Sequence, residues 1–117
     1  MTPPRRHIAG QVVLLTRRCF QRRFFLRPDS FINSVARFET ARASVRHGQA
    51  VHASMVMSNH IHQISTDTTG RRSEFMRDAM REISRARNYY LKRRDSLWDG
   101  RPFGDTVLLK REAIERK

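Results

Sequence analysis

A chain of 117 residues is enough for one domain, and by size alone it can bury roughly 65% of its unfolded surface, so a core needs no disulfide or metal to hold it. Its 24 Lys+Arg against 11 Asp+Glu give a formal charge of +13, and 21 of the basic residues are arginine. No apolar run is long enough to span a bilayer, and no long apolar helix carries a basic face, so the expected polyanion is nucleic acid and not a membrane. Arginine suits that partner because its planar fork can give two hydrogen bonds to one phosphate.

The segment 1–10 reads as a flexible basic arm without periodicity. Gln11 to Phe20 is rich in apolar and β-branched residues and reads as a first, central strand. Cys19, the only cysteine, sits in that pattern as inert core. With no disulfide and no signal-peptide pattern, the expected location is cytoplasmic. Arg17, Arg18, Arg22 and Arg23 cluster at the strand's end with Phe20, Phe24 and Phe25 between them, a mixture that can hold phosphates and stack bases. Phe24 and Phe25 fit the core equally well.

Pro28-Asp29-Ser30 then announces a helix, since Asp29 or Ser30 can accept from its free amides, and His47-Gly48 stops it. Phe31, Val35, Phe38 and Val45 mark its apolar stripe. Val51, Ala53, Met55 and Met57 alternate with His52, Ser54, Val56 and Ser58, which is strand patterning, and Ser58-Asn59 reads as the tight turn into an antiparallel partner. That partner carries His60 and His62. Side chains two apart on a strand share a face, so both imidazoles leave the sheet on one side while Ile61 enters the core, and each can offer a neutral ring nitrogen to a divalent cation. By itself His-x-His is a weak signal.

A second helix is expected from about Arg71 to Arg93. It buries Phe75, Met76, Ala79, Met80, Ile83, Ala86 and Tyr90, and turns Arg77, Arg81, Arg85 and Arg87 outward beside Glu74, Asp78 and Glu82. The less compensated end, with Arg85, Arg87, Arg93 and Arg94, is the candidate phosphate contact. Trp98 is large enough to anchor the turn-rich connector Ser96 to Pro102 by packing. Asp105 to Leu109 reads as a fourth strand, and Lys110 to Lys117 as the start of a C-terminal helix. The order β-α-β-β-α-β predicts an α+β, ferredoxin-like domain over 11–117: an antiparallel four-stranded sheet with two helices on one face.

Met57-Ser-Asn-His-Ile-His62 resembles the MSNHxH signature of single-tyrosine HUH transposases, the insertion-sequence-200-like group that includes the REP-associated tyrosine transposases. Thr16 to Pro28 is similar to that family's first strand and its exit. Phe75-Met-Arg-Asp78 with Asn88, and Leu97-Trp-Asp-Gly-Arg101, resemble its second-helix and LW-x-G-R segments. The resemblance implies Mg²⁺ or Mn²⁺ on His60 and His62, recognition of single-stranded DNA with hairpins, and DNA transposition through a phosphotyrosine intermediate. It also implies a nucleophilic tyrosine and a third polar ligand on a helix after the fourth strand. No tyrosine follows Tyr90, so the expected nucleophile lies beyond Lys117 and the chain reads as catalytically incomplete. Tyr89 and Tyr90 remain as candidates, on a helix where the family does not place that residue. Two other readings stand beside this one: a protein that binds hairpin or single-stranded DNA without cutting it, and an RNA-binding ferredoxin-like domain with incidental histidines. A homodimer is compatible with all three.

Overall fold

The computed structural model describes residues 8–27, 29–94, 96–100 and 103–108. Strands β1 (Gln11–Arg18), β2 (Gln49–Met57), β3 (His60–Asp67) and β4 (Gly104–Leu108) form one sheet in the order β2-β3-β1-β4, with helices α1 (Ser30–His47) and α2 (Arg72–Leu91) between them in the chain. Every neighbouring pair is antiparallel. Each helix therefore links two parallel strands that have a third strand between them, the split β-α-β arrangement of the ferredoxin-like fold. The expected fold class is the one observed.

Both helices cover one face. Val13 and Leu15 from β1 and Ile61 from β3 are buried against Ile32, Ala36 and Ala43 of α1 and Phe75, Met76, Ala79 and Ile83 of α2, with Leu26 and Leu97 closing one end. The helix boundaries follow the capping chemistry. Asp29 is the N-cap of α1, its carboxylate accepting from the Ile32 amide at 2.7 Å, and Gly48 ends the helix with φ 63°. At Gly48 any β-carbon would run into Thr69, so the position needs glycine for space as well as for its backbone.

Four expectations are corrected. The buried stripe of α1 is Ile32, Ala36, Thr40, Ala43 and His47, while Phe38 and Val45 are exposed. Small residues let α1 lie close to its neighbours, so the bulky ones stay outside. On α2, Arg87 is buried and Tyr90 exposed, the reverse of the expected sides. The alternation of β2 is broken by a bulge: Val51 pairs with Ser65 but Ala53 with Ile64, leaving His52 unpaired in the ladder. Val51 and Val56 thus pack toward the helices, whereas Ala53, Met55 and Met57 face the other way. Strand β1 ends at Arg18, and Cys19 continues only as a single bridge to Trp98. Residues 1–7 of the arm, Leu109 and the expected helix Lys110 to Lys117 lie outside the described residues.

The end of the sheet farthest from the histidines is fastened by a buried polar cluster. The Arg72 guanidinium donates to Asp67 at 2.8 Å, to Asp105 at 3.2 Å, to Gln11 at 2.7 Å and to the carbonyl of Ile8 at 3.2 Å. Gln49 donates to the other Asp67 oxygen at 2.6 Å, so all four strands and α2 meet at one carboxylate pair. Burial raises the Asp67 pKa, and the Arg72 and Gln49 hydrogen bonds more than reverse this, leaving it below the ordinary carboxylate value. Between the helices, His47 Nε2 lies 2.6 Å from Asp78. Among the described residues no helix is long and apolar enough to cross a membrane.

Candidate metal and nucleic-acid site

The face of the sheet opposite the helices carries His60 and His62. Their rings meet edge to face at a centroid distance of 4.5 Å. Across the ladder His60 stands beside Arg18 and Met57, and His62 beside Thr16 and Met55. Thr16, Arg18, Arg22 and Asn59 complete the wall of one pocket around the two imidazoles. Thr16 holds its place because its cross-strand partner is Gly104: a β-carbon there would sit 2.5 Å from the threonine hydroxyl.

Asn59, which the sequence presents as a turn residue and as the Asn of the MSNHxH signature without a role, organises this pocket. Its side-chain oxygen lies 2.6 Å from His60 Nδ1, its amide donates to the carbonyl of Arg22 at 3.3 Å, and its backbone oxygen accepts from Cys19 at 2.8 Å. Neither Ser58 nor Asn59 has positive φ, so the hairpin lacks the primed turn favoured for two-residue loops. Outside contacts hold it: Leu26 donates to Ser58 and Cys19 to Asn59. The strain appears instead in the 3-10 turn Phe20–Arg22, where Gln21 and Arg22 take φ of 51° and 55°. Two successive non-glycine residues in the left-handed region, one of them a wall of the pocket, are a backbone cost of the kind concentrated at functional sites.

The donor chemistry fits a divalent ion. With Asn59 Oδ1 as acceptor, His60 carries its proton on Nδ1 and keeps an Nε2 lone pair for a ligand. Burial, His62 and Arg18 together lower the His60 pKa, favouring the neutral ring that a metal requires. Among the described residues no third His, Cys, Asp or Glu joins the pair. Arg18 and Arg22 oppose a bare cation, so the pocket suits an ion that arrives with an anion, the arginines taking the anion's remaining charge.

The other proposed contacts divide among several places. Arg18, Arg22 and Arg23 are exposed at the pocket or beside it. Arg17, one residue from Arg18, leaves the sheet on the helix side and lies 6.0 Å over Trp98. Trp98 is buried, its indole donating to the carbonyl of Met80 at 2.7 Å, so it packs as expected. Arg87 is 4% exposed and spends its guanidinium on the carbonyl of Phe25 at 2.7 Å and on Asp29 at 3.2 Å, which makes it a clamp and not a phosphate contact. Arg85 is exposed and pairs with Glu82; Arg93 lies 3.9 Å over the Phe25 ring; Arg94 is exposed. Phe25 is half-buried against the core and Phe24 exposed, so the two aromatics part company. Cys19 is fully buried and burial pushes its thiol up to about 11, the state of an inert side chain. Tyr90 stacks on Phe31 at 4.5 Å and Tyr89 is exposed, both on α2 in the layer across the sheet from His60 and His62.

No protein-family model matches the sequence, and no curated protein does. Solved structures do. A REP-associated tyrosine transposase bound to a REP hairpin superposes with a TM-score of 0.66 at 19% identity, over 99% of this chain and 67% of that one. A protein from Deinococcus radiodurans R1 described as a transposase gives 0.67 at 14% identity, over 99% of this chain and 94% of that one. The chain has the fold of these two proteins. At such identities the likeness fixes the path of the backbone, and what it says of chemistry depends on the side chains already placed around His60.

Proposed function

We propose that this chain is a DNA-binding domain of the single-tyrosine HUH transposase type, which takes hairpin-bearing single-stranded DNA with a backbone phosphate against His60 and His62. The observation that carries the reading is the paired imidazoles on the open sheet face, one of them oriented by Asn59, with Arg18 and Arg22 in the same wall. The fold shared with a transposase bound to a REP hairpin supports it.

In this reading Arg18 and Arg22 draw the phosphate in and neutralise it, and Thr16 lines the floor beneath. Mg²⁺ or Mn²⁺ on His60 Nε2 and the His62 ring would polarise the phosphodiester and offset charge developing on it. Asn59 keeps the His60 ring turned toward the phosphate by holding its Nδ1 proton. Cleavage needs a hydroxyl in line with phosphorus, and a tyrosine hydroxyl is a poor nucleophile near neutral pH, so its placement decides the rate. Tyr89 and Tyr90 stand in the helical layer and do not face this pocket. The 117-residue chain is therefore expected to bind without cutting.

The test is binding of a labelled DNA hairpin with a single-stranded overhang in Mn²⁺, compared with duplex RNA and with the denaturant-resistant adduct that a phosphotyrosine would leave. Tighter binding to the DNA than to the RNA, with no adduct, is the expected result. Preference for duplex RNA would overturn the reading in favour of an RNA-binding domain, and an adduct lost on Tyr89→Phe or Tyr90→Phe would overturn the account of the tyrosines.

A further inference from the structure

A second groove lies on the helix side of the sheet, between α2 and the connector that carries Trp98. Its floor includes Met76, Met80 and Trp98, and four arginines line it: Arg17, Arg77, Arg81 and Arg85. The floor residues are nearly inaccessible, at 1%, 3% and 6% exposure, so they form a rigid apolar base and not a loose patch. The rim is the opposite, with the side chains of Arg77, Arg81 and Arg85 exposed by 64%, 48% and 70%. Two carboxylates serve these three: Asp78 takes Arg77 and Arg81, and Glu82 takes Arg81 and Arg85. Asp78 is also bound to His47. Cationic charge therefore exceeds its internal compensation directly above an apolar floor. Burial depresses the Arg17 pKa, with Asp99 acting against that, which marks a guanidinium partly removed from water.

We propose that this groove binds one unpaired nucleotide of a single-stranded nucleic acid, its base against the half-buried Phe103 ring in the groove wall and its phosphate on Arg81 and Arg85. A nucleotide joins a flat, weakly polar ring to a phosphate within one unit, which is the pairing of surfaces the groove presents. An acidic peptide would satisfy the rim but bring no flat ring to Phe103. The place in the fold adds to this. Arg17 and Arg18 are consecutive on β1 and leave the sheet on opposite sides, so the groove and the histidine pocket lie back to back across the end of one strand. The loops are joined as well: Cys19 bridges to Trp98, and Asp99 donates to the carbonyl of Arg18 at 2.9 Å. A strand with one phosphate at His60 can pass around this end and seat a neighbouring nucleotide in the groove.

The inference shares with the proposed function only the premise that the partner is single-stranded nucleic acid, and the experiment separates the two. Trp98 is the only tryptophan in the chain, so its fluorescence reports on the groove alone. Titration with a short oligothymidylate should quench it, with at least tenfold weaker apparent affinity in Arg81→Ala/Arg85→Ala and a change within twofold in Arg42→Ala, an exposed arginine of α1 outside both sites. Equal quenching by polyglutamate, unchanged affinity in the Arg81→Ala/Arg85→Ala variant, or an equal loss in Arg42→Ala would each overturn the groove. Independently of any variant, an oligonucleotide bearing 4-thiothymidine should photocrosslink to peptides spanning α2 or Trp98 in the wild-type chain. Crosslinks confined to the histidine strand and the Phe20–Arg22 turn would reject the proposal. Hairpin binding that fails while the quench persists would count against the histidine site and leave the groove standing.

Discussion

Strand β3 carries two polar sites made of similar materials, one at each end, and they differ in how completely their charges are satisfied. At Asp67 the buried Arg72 meets two carboxylates, a glutamine and a carbonyl, and every one of its contacts is internal. At His60 the neighbouring cations Arg18 and Arg22 stand on an open face around two imidazoles. The first is a finished structure and the second is half of one. Basic composition cannot tell them apart, because an arginine that locks strands together and one that waits for a phosphate count the same in the net charge. Burial can. A guanidinium at 1% exposure is tolerated only with its partners in place, whereas an exposed one needs none to persist.

The sharpest way to break that contrast is to remove Arg72. Arg72→Met leaves the buried Asp67 without its guanidinium partner and should lower unfolding free energy by about 3–5 kcal/mol, read from urea denaturation. Arg18→Met, by contrast, should stay within about 0.5 kcal/mol of wild type. A loss below about 1 kcal/mol for Arg72→Met would mean the cluster is not closed.

Next in size is metal binding at the unfinished end. His60→Ala/His62→Ala should abolish Mn²⁺ binding measured by electron paramagnetic resonance while leaving the urea midpoint unchanged. Retained binding would place the ion elsewhere. Asn59→Ala should weaken the same Mn²⁺ affinity by about tenfold, since it frees the ring without removing a donor.

The acid limb sharpens the comparison from the closed end. A carboxyl whose folded pKa is depressed stabilises the protein above its unfolded value, and that stability is lost as pH falls through the folded value. Asp67 is such a group, so stability should decline toward acid pH and Asp67→Asn should flatten the decline. A slope unchanged in the variant would assign the acid limb to other carboxylates. The smallest effect belongs to the exposed arginines: each of Arg18→Ala and Arg22→Ala should reduce the salt dependence of single-strand binding by about 0.7 in the log–log slope. No change in slope would take these side chains off the phosphate path.

Much of this was legible from the chain. The caps at Asp29 and Gly48, the succession of strands and helices along the chain and the shared face of His60 and His62 follow from local chemistry and hydrophobic periodicity. What was not legible depends on packing between elements. Phe38 is exposed and Ala36 buried because closeness between layers outranks side-chain hydrophobicity along α1. Arg87 reads as one more surface cation until the carbonyls of Phe25 and Arg27 arrive beside it, sixty residues away in sequence. Asn59 looks like a turn residue because its hold on His60 and Arg22 is made by a side chain whose neighbours are set only by the fold. Of the site, the two donors could be read directly, and Asn59 stood in the same signature without the role of aiming one of them.

The bulge at His52 has a consequence for how this hairpin tolerates change in length. Before it, β2 keeps step with the helical layer through Val51; after it, Met55 and Met57 keep step with His62 and His60. The extra residue works as a clutch between the two halves of the strand. A single deletion at position 52 would merge them into one regular strand with Val51, Val56 and the methionines still on their present sides, whereas a deletion between Ala53 and Met57 would send one set of side chains to the wrong side of the sheet. Variation in length should accordingly be found at the bulge itself or in the loop after Asp67, where no side of the sheet has to be chosen, and not between Ala53 and His60.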